Sequence, residues 1–512
     1  MCPARALSAL SAFLCVLPMR NAAAANPNIV ILYADDMGYG DLGANNPASK
    51  IPTPNLDRLA AEGLRCTDGH SSSGICTPSR YAMLTGRHHW RDFHGIANAF
   101  DDSVFRKNQL TMPAMLREHG YATACIGKWH LGWNWNAIRK PGTPKTSIEH
   151  TDFDWSIPFP GGPLDHGFDY YFGDNVINFP PYAWIENDRL VKAPDTTLRR
   201  VPGKPKEGEW ECRPGPACSD WDFYQDLPTI TRKAVEYVRS RKDKPQPFFL
   251  YLPFPSPHAP IIPLDSFDGK SKAGAFGDYV AQTDDSCGQV LNALRECGLE
   301  QNTIVIFSAD NGPEIYAYPR DRKHDHWSSA PFRGLKRDIY EGGHHVPLLI
   351  KWPGVTKAGA VTDALVSQVD FMATFASLTG HALPADSAED SFDFLPWLKG
   401  EASRPPRDTM VHNTDAKHYA IRHGEWVLVD AKTGYTDGRM PPPAWSEKHR
   451  QPADDAEAVE LYRIKDDPGQ RANLAVQHPD KVAELQSLLE KIRTQGHSAP
   501  RLETQTVDSR VK

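Results

Sequence analysis

The segment 76–87, CTPSRYAMLTGR, places a thiol, a proline and a guanidinium at positions 76, 78 and 80. Pro78 suits the first turn of a helix and Gly86 suits its end. Cys76 is therefore expected at a helix N-terminus, where partial positive charge and free N–H groups favour an anion. A buried thiol on a capped helix fits the same residues. Asp35 and Asp36 stand directly after the apolar run NIVILYA (28–34), and Asp310 and Asn311 directly after IVIFSA (304–309). Three carboxylates and an amide are hard oxygen donors, suited to calcium or magnesium rather than zinc. One such pair alone more often makes a turn or a cap; two of them after parallel strands point to a shared cation. Lys128 and His130 lie in GYATACIGKWHLG (120–132), His258 in PSPHAP and Lys336 in FRGLKRD. A surface lysine is usually solvated, yet Arg80, Lys128 and Lys336 would together supply the charge that a small anionic ligand needs.

These residues are far apart in the chain, so a fold has to bring them together. Apolar runs alternate with helical stretches from Asn26 onward, which predicts an α/β fold with a large, mostly parallel β-sheet flanked by helices. Strands are expected at 28–34, 248–253, 304–309 and 346–352, and helices at 56–62, 110–119, 279–297 and around 371–379. Ligands of such sheets gather beyond the carboxyl ends of the strands, where both acidic pairs stand. The stretch 133–228 is rich in Pro, Gly and aromatic residues and reads as loops over the sheet edge, the kind that carry specificity. Beyond 387, short alternating strands at 409–412, 419–422 and 426–429 and an amphipathic helix at 480–494 predict a smaller C-terminal α+β domain. The expected division is a signal peptide at 1–25, a catalytic domain at 26–386 and a C-terminal subdomain at 387–512.

Bulk properties narrow the function. At 512 residues, 40% hydrophobic and 24% charged, the chain has ample material for a core. A net charge of -7 without a basic run gives no footprint for nucleic acid. Arg5, the apolar stretch 6–18 and small residues at 22–25 read as a signal peptide, and no later stretch is long enough for a membrane span. An exported protein is expected, periplasmic or secreted. Cys2 and Cys15 leave with the signal; among the remaining seven cysteines, Cys212 and Cys218 flank a Gly-Pro turn and suit a local disulfide, with free buried thiols an equal alternative for the others.

C-x-P-x-R at 76–80 resembles the signature of the type I, formylglycine-dependent sulfatases, arylsulfatase-like members of the alkaline phosphatase superfamily, and 120–132 resembles their second signature. The resemblance implies that a formylglycine-generating enzyme oxidises Cys76 to formylglycine. It implies one Ca2+ held by Asp35, Asp36, Asp310 and Asn311 together with the converted Cys76. It also implies that Arg80 and Lys128 steady the sulfate, that His258 and Lys336 face the leaving oxygen with His258 as general acid, and that His130 is the base that releases sulfate. Three basic side chains match three carboxylates, so a divalent ion would leave two positive charges for a singly charged sulfate ester. Substrate-binding candidates are Asp174, Asn175, Asn178, His326 and Trp327, with Trp133, Trp135 and His324, because aromatic and hydrogen-bonding groups suit the rings of a sulfated carbohydrate. The competing functions are a phosphonate or phosphate ester hydrolase of the same superfamily and an inactive sulfated-glycan-binding homologue.

Overall fold

The computed structural model describes residues 26–436, 440–452 and 458–500; the expected signal peptide lies outside them. Among the described residues the largest sheet has ten strands. Its centre is five parallel strands in the order Thr303–Ala309, Asn28–Ala34, Phe248–Pro253, Ala122–Ile126 and Tyr170–Gly173. Asn28–Ala34 is buried along its whole length because helices cover both faces. Its side chains alternate accordingly. Val30, Leu32 and Ala34 join the helices Pro54–Glu62, Asp226–Ser240 and Gly274–Glu296 in one core. Ile29, Ile31 and Tyr33 join the helices Cys76–Thr85, Met112–Glu118 and Phe371–Thr379 in the other.

Beyond this centre the sheet is mixed. Leu348–Lys351, within the strand expected at 346–352, pairs antiparallel with Thr303–Ala309 and with Leu64–Cys66 in this mostly parallel sheet. The reason is topological: the chain leaves Ala309 at the carboxyl edge, stays over that edge until about residue 347, and so re-enters the sheet running the other way. At the opposite border, Ile185–Glu186 and Arg189–Leu190 add an antiparallel hairpin drawn from the expected loop region. The helix Asp226–Ser240 and the strand Ala122–Ile126 are further elements that sequence reading did not delimit.

The C-terminal region forms a four-stranded antiparallel sheet, Thr409–Asn413, Tyr419–His423, Trp426–Val429 and Glu460–Arg463. Leu485, Leu489 and Ile492 of the helix Pro479–Thr494 pack on Ile421, Leu428 and Leu461. On the other face, Ala420, Val429 and Tyr462 meet Ile339 and Tyr340 of the larger body. Phe392 and Phe394, on the chain leading to this sheet, belong to the large core. Among the described residues no helix is long and apolar enough to cross a membrane.

Cys212 and Cys218 are free thiols, contrary to the expected disulfide. The Gly-Pro pair between them does not turn; Gly215–Ala217 is extended against Thr196–Leu198. The thiols are thereby sent to different carbonyls, Cys212 to Trp210 O at 3.2 Å and Cys218 to Lys192 O at 3.5 Å.

Candidate active site

Apart from Lys336, which sits in a loop, each chemically loaded segment leaves the carboxyl edge of a central strand or starts a helix there. Asp35 and Asp36 follow Ala34, and Asp310 and Asn311 follow Ala309. Gly127, Lys128 and His130 follow Ile126, and His258 follows Pro253. Cys76 is the first residue of the helix Cys76–Thr85, which ends at Gly86 with φ 68°, as its proline and glycine dictate. Asp36 itself has φ 65°, in the left-handed region that a non-glycine residue rarely adopts.

The groups interlock. Lys128 Nζ donates to Asp35 Oδ2 at 2.5 Å, and Lys336 Nζ lies 2.7 Å from Asp36 Oδ1 and 2.8 Å from Oδ2. The Arg80 guanidinium donates to Asp310 Oδ2 from Nη2 at 2.8 Å and from Nε at 3.1 Å. Asn311 Nδ2 donates to Asp36 Oδ1 at 2.7 Å. Cys76 Sγ lies 3.8 Å from Asp35 Oδ1, and His258 Nε2 lies 3.7 Å from Asp36 Oδ2. All of these side chains are buried. Three buried carboxylates facing three buried cations compensate one another, the condition under which burial of charge is tolerated.

This crowding shifts the protonation equilibria. Burial raises the Asp310 carboxyl, but Arg80, Lys128 and Lys336 overcome it and hold the group down to about 2. Burial and the neighbouring Asp310 push Asp35 up to about 8 against Lys128 and Arg80. Burial pushes the Cys76 thiol up to about 12 although Lys128 and Lys336 oppose it. An unmodified Cys76 is then a protonated thiol, a weak nucleophile. Burial, reinforced by Lys128 and Arg80, holds His130 well below its ordinary range. Its Nε2 faces Ala97 O at 3.1 Å and therefore carries the hydrogen, while buried Nδ1 has no partner. The donors fit a hard cation: oxygens of Asp35 and Asp36 lie within 4.8 Å of each other and of Cys76 Sγ and His258 N, and the buried Oδ1 of Asn311 has no protein partner.

A cavity of about 150 Å³ opens onto Cys76, His130, His258 and Lys336. Asn178 lines it, whereas the other expected sugar-binding residues do not. Asp174 is buried, close to Asp226. Asn175 Oδ1 accepts from the His130 N–H at 3.4 Å and from Trp133 Nε1 at 3.3 Å, so it shapes the His130 loop. His326 is held by Asp41 at 2.8 Å, and Trp327 packs on Trp445 with ring centroids 4.6 Å apart. Trp133 and Trp135 are interior, against Phe159. These rings went to the core because burial against other aromatics is the larger gain. In their place the cavity shows Glu211, Arg213, Glu314 and Arg337. Arg337 and Glu314 had a signal in their closeness to Lys336 and Asp310; Glu211 and Arg213 sit in an aperiodic stretch and had none.

Residues 27–381 match the family described as Sulfatase, and residues 334–434 match the C-terminal region of N-sulphoglucosamine sulphohydrolase. An N-acetylgalactosamine-6-O-sulfatase of Bacteroides thetaiotaomicron is 32% identical over 503 residues, covering 91% of this chain and 93% of that protein. The N-acetylgalactosamine-6-sulfatase of Mus musculus is 33% identical over 402 residues, covering 74% of this chain and 68% of that one. A solved structure from a study of glycosaminoglycan metabolism by Bacteroides thetaiotaomicron superposes with a TM-score of 0.77 at 30% identity, over 92% of this chain and all of the other. With its strand-edge carboxylates, its cysteine-led helix and this match along most of its length, the chain belongs to the sulfatase family and is a sulfuric ester hydrolase.

Proposed function

We propose that this sulfatase removes 6-sulfate from N-acetylgalactosamine residues of a sulfated glycan, with formylglycine at position 76 and a calcium ion beside it. The observation that carries the chemistry is the cluster of three carboxylates and three cations around Cys76, which opens with Lys336 onto one cavity. The substrate class rests on the names of the two relatives matched above. Asp35, Asp36, Asp310 and Asn311 would hold calcium, whose charge, when bound, draws electron density from the sulfuryl oxygens. A formylglycine hydrate supplies one hydroxyl that attacks sulfur and a second whose deprotonation releases sulfate.

The remaining work belongs to side chains present in the chain. Arg80 and Lys128 fix the anionic group, and Lys336 and His258 face the leaving oxygen. His258 Nδ1 is committed to Ala259 O at 2.5 Å, so Nε2 is the atom that can deliver a proton. Burial, Lys336 and Lys128 hold this ring well below its ordinary pKa; the negative charge of a bound ester counters the lysines and favours the protonated form. His130, neutral with a bare Nδ1, is the base for the second stage.

The test compares turnover of N-acetylgalactosamine 6-sulfate, N-acetylglucosamine 6-sulfate and a matched phosphate ester by protein whose Cys76 peptide has been weighed by mass spectrometry. The expected result is the aldehyde mass at position 76, with multiple turnover of the galacto 6-sulfate and none in Cys76→Ser. Equal turnover by Cys76→Ser would overturn the mechanism, and preference for the gluco sugar or the phosphate would overturn the substrate.

A further inference from the structure

A second buried cluster lies away from the catalytic cavity, where the large sheet meets the C-terminal one. We propose that His70, His344 and His412 bind a zinc ion that no part of the sulfatase reaction requires. One ring nitrogen from each lies within 4.8 Å of the others, and all three residues are buried.

The hydrogen-bond partners limit the tautomers. His70 Nε2 lies 2.7 Å from Asp68 Oδ1, so that nitrogen carries the hydrogen and Nδ1 presents a lone pair. His344 Nε2 faces Ile339 O at 3.4 Å, where it can donate and leave Nδ1 bare; in the other tautomer its Nδ1–H donates to His70 Nδ1. The two Nδ1 atoms stand 3.1 Å apart, a separation held either by a hydrogen on one of them or by a cation between two lone pairs. Zinc–nitrogen bonds of ~2.0–2.1 Å in tetrahedral geometry set neighbouring nitrogens about 3.3 Å apart. His412 stacks on His344 with ring centroids 3.4 Å apart, and neither of its nitrogens has a partner although the residue is only 1% exposed. The adjacent His345 makes a contrast: Glu341 and the Thr67 carbonyl occupy both its nitrogens, at 2.9 and 2.8 Å, and leave it nothing to donate.

A hydrogen on His344 Nδ1 is the competing occupant, and it would still leave both buried nitrogens of His412 unpaired. Imidazole donors suit zinc, and the Asp68–His70 contact is the carboxylate–histidine arrangement that orients zinc ligands. Asp68 is held in turn by Arg422 through two 2.7 Å contacts. The ion would join three separate segments: the strand Gly69–His70 shortly before Cys76, the helix Glu341–His344 shortly after Lys336, and the C-terminal strand Thr409–Asn413.

The test uses full-length protein made in zinc-supplemented medium, dialysed against calcium buffer and analysed for metals by mass spectrometry. The wild type and an Asp36→Asn/Asp310→Asn variant should each retain about one zinc per chain, and His412→Ala should retain almost none. Stripping zinc with a zinc-selective chelator in excess calcium should lower the wild-type Tm by about 3 °C and leave the His412→Ala Tm where it was. Equal zinc in wild type and His412→Ala, or zinc lost only from the Asp36/Asp310 variant, would overturn the proposal. Should His412→Ala fail to fold, cobalt-grown wild-type protein decides the matter: visible bands of tetrahedral, nitrogen-bound cobalt support the site, and their absence overturns it.

Discussion

Lys128 is fully buried against Asp35, with Asp310 and Arg80 close by, so its charge serves both the fold and the anion it faces. Lys128→Met leaves Asp35, already raised to about 8, without its nearest cation, so the carboxyl takes up a proton; a loss of about 1–3 kcal/mol in stability is expected from the lost buried hydrogen bond. Turnover should fall about 100-fold to 1,000-fold, as when one preorganised electrostatic contact is removed. Urea denaturation and steady-state kinetics on one preparation check both. His258→Ala should slow esters with poor leaving groups far more than activated aryl sulfates, and equal losses on both would remove Nε2 from the proton delivery. The residues now gathered at the cavity were legible because polar groups directly after wholly apolar strands have few structural uses. His326 and Trp327 were misleading because an aromatic ring that stacks on a sugar and one that stacks on Trp445 have the same composition and the same loop setting.

Among the elements, the turn after Ala122–Ile126 sets the reach of Lys128. Gly127 has φ 124°, and a Cβ built there would come 2.0 Å from the Pro253 carbonyl oxygen, at the end of the neighbouring strand. Backbone cannot yield as a flexible side chain does, so Gly127→Ala should separate the strand ends that carry Lys128 and His258. A loss of at least about 2 kcal/mol in stability and at least about 10-fold in kcat is expected, measured by thermal unfolding and initial rates. The strand ATACI itself escaped notice because it is short and rich in small residues, whereas NIVILYA and FFLYLP announce buried strands through β-branched, aromatic and leucine side chains. The direction of Leu348–Lys351 was hidden for a different reason: a four-residue apolar run reads alike both ways, and only the return path over the carboxyl edge orients it.

For the whole molecule, Arg422 and Asp68 bind the C-terminal sheet to the larger body by two 2.7 Å contacts. Arg422→Met should cost about 3–5 kcal/mol, since Asp68 would remain charged and enclosed, and limited proteolysis should then cut first in the C-terminal sheet. Acid sensitivity is a second global property. Burial pushes His88 and His166 down to about 4, below the ~6.5 of an unfolded chain. The unfolded chain takes up these protons first, so this contribution to stability is complete above about pH 6.5 and is lost as pH falls toward 4. His88→Leu should flatten the slope of stability against pH in that window by about one proton, read from urea midpoints between pH 7 and 4.5. Chain-wide pattern foretold the layered sheet and the C-terminal unit, but not the clasp between them, because contacts 354 residues apart leave no local mark. Cys76, finally, is 2% exposed at the floor of a narrow cavity. Under the proposed mechanism, an enzyme too large to enter that cavity would reach the thiol only before the helix docks, so a batch that folds first would stay as cysteine and specific activity would record the timing of maturation.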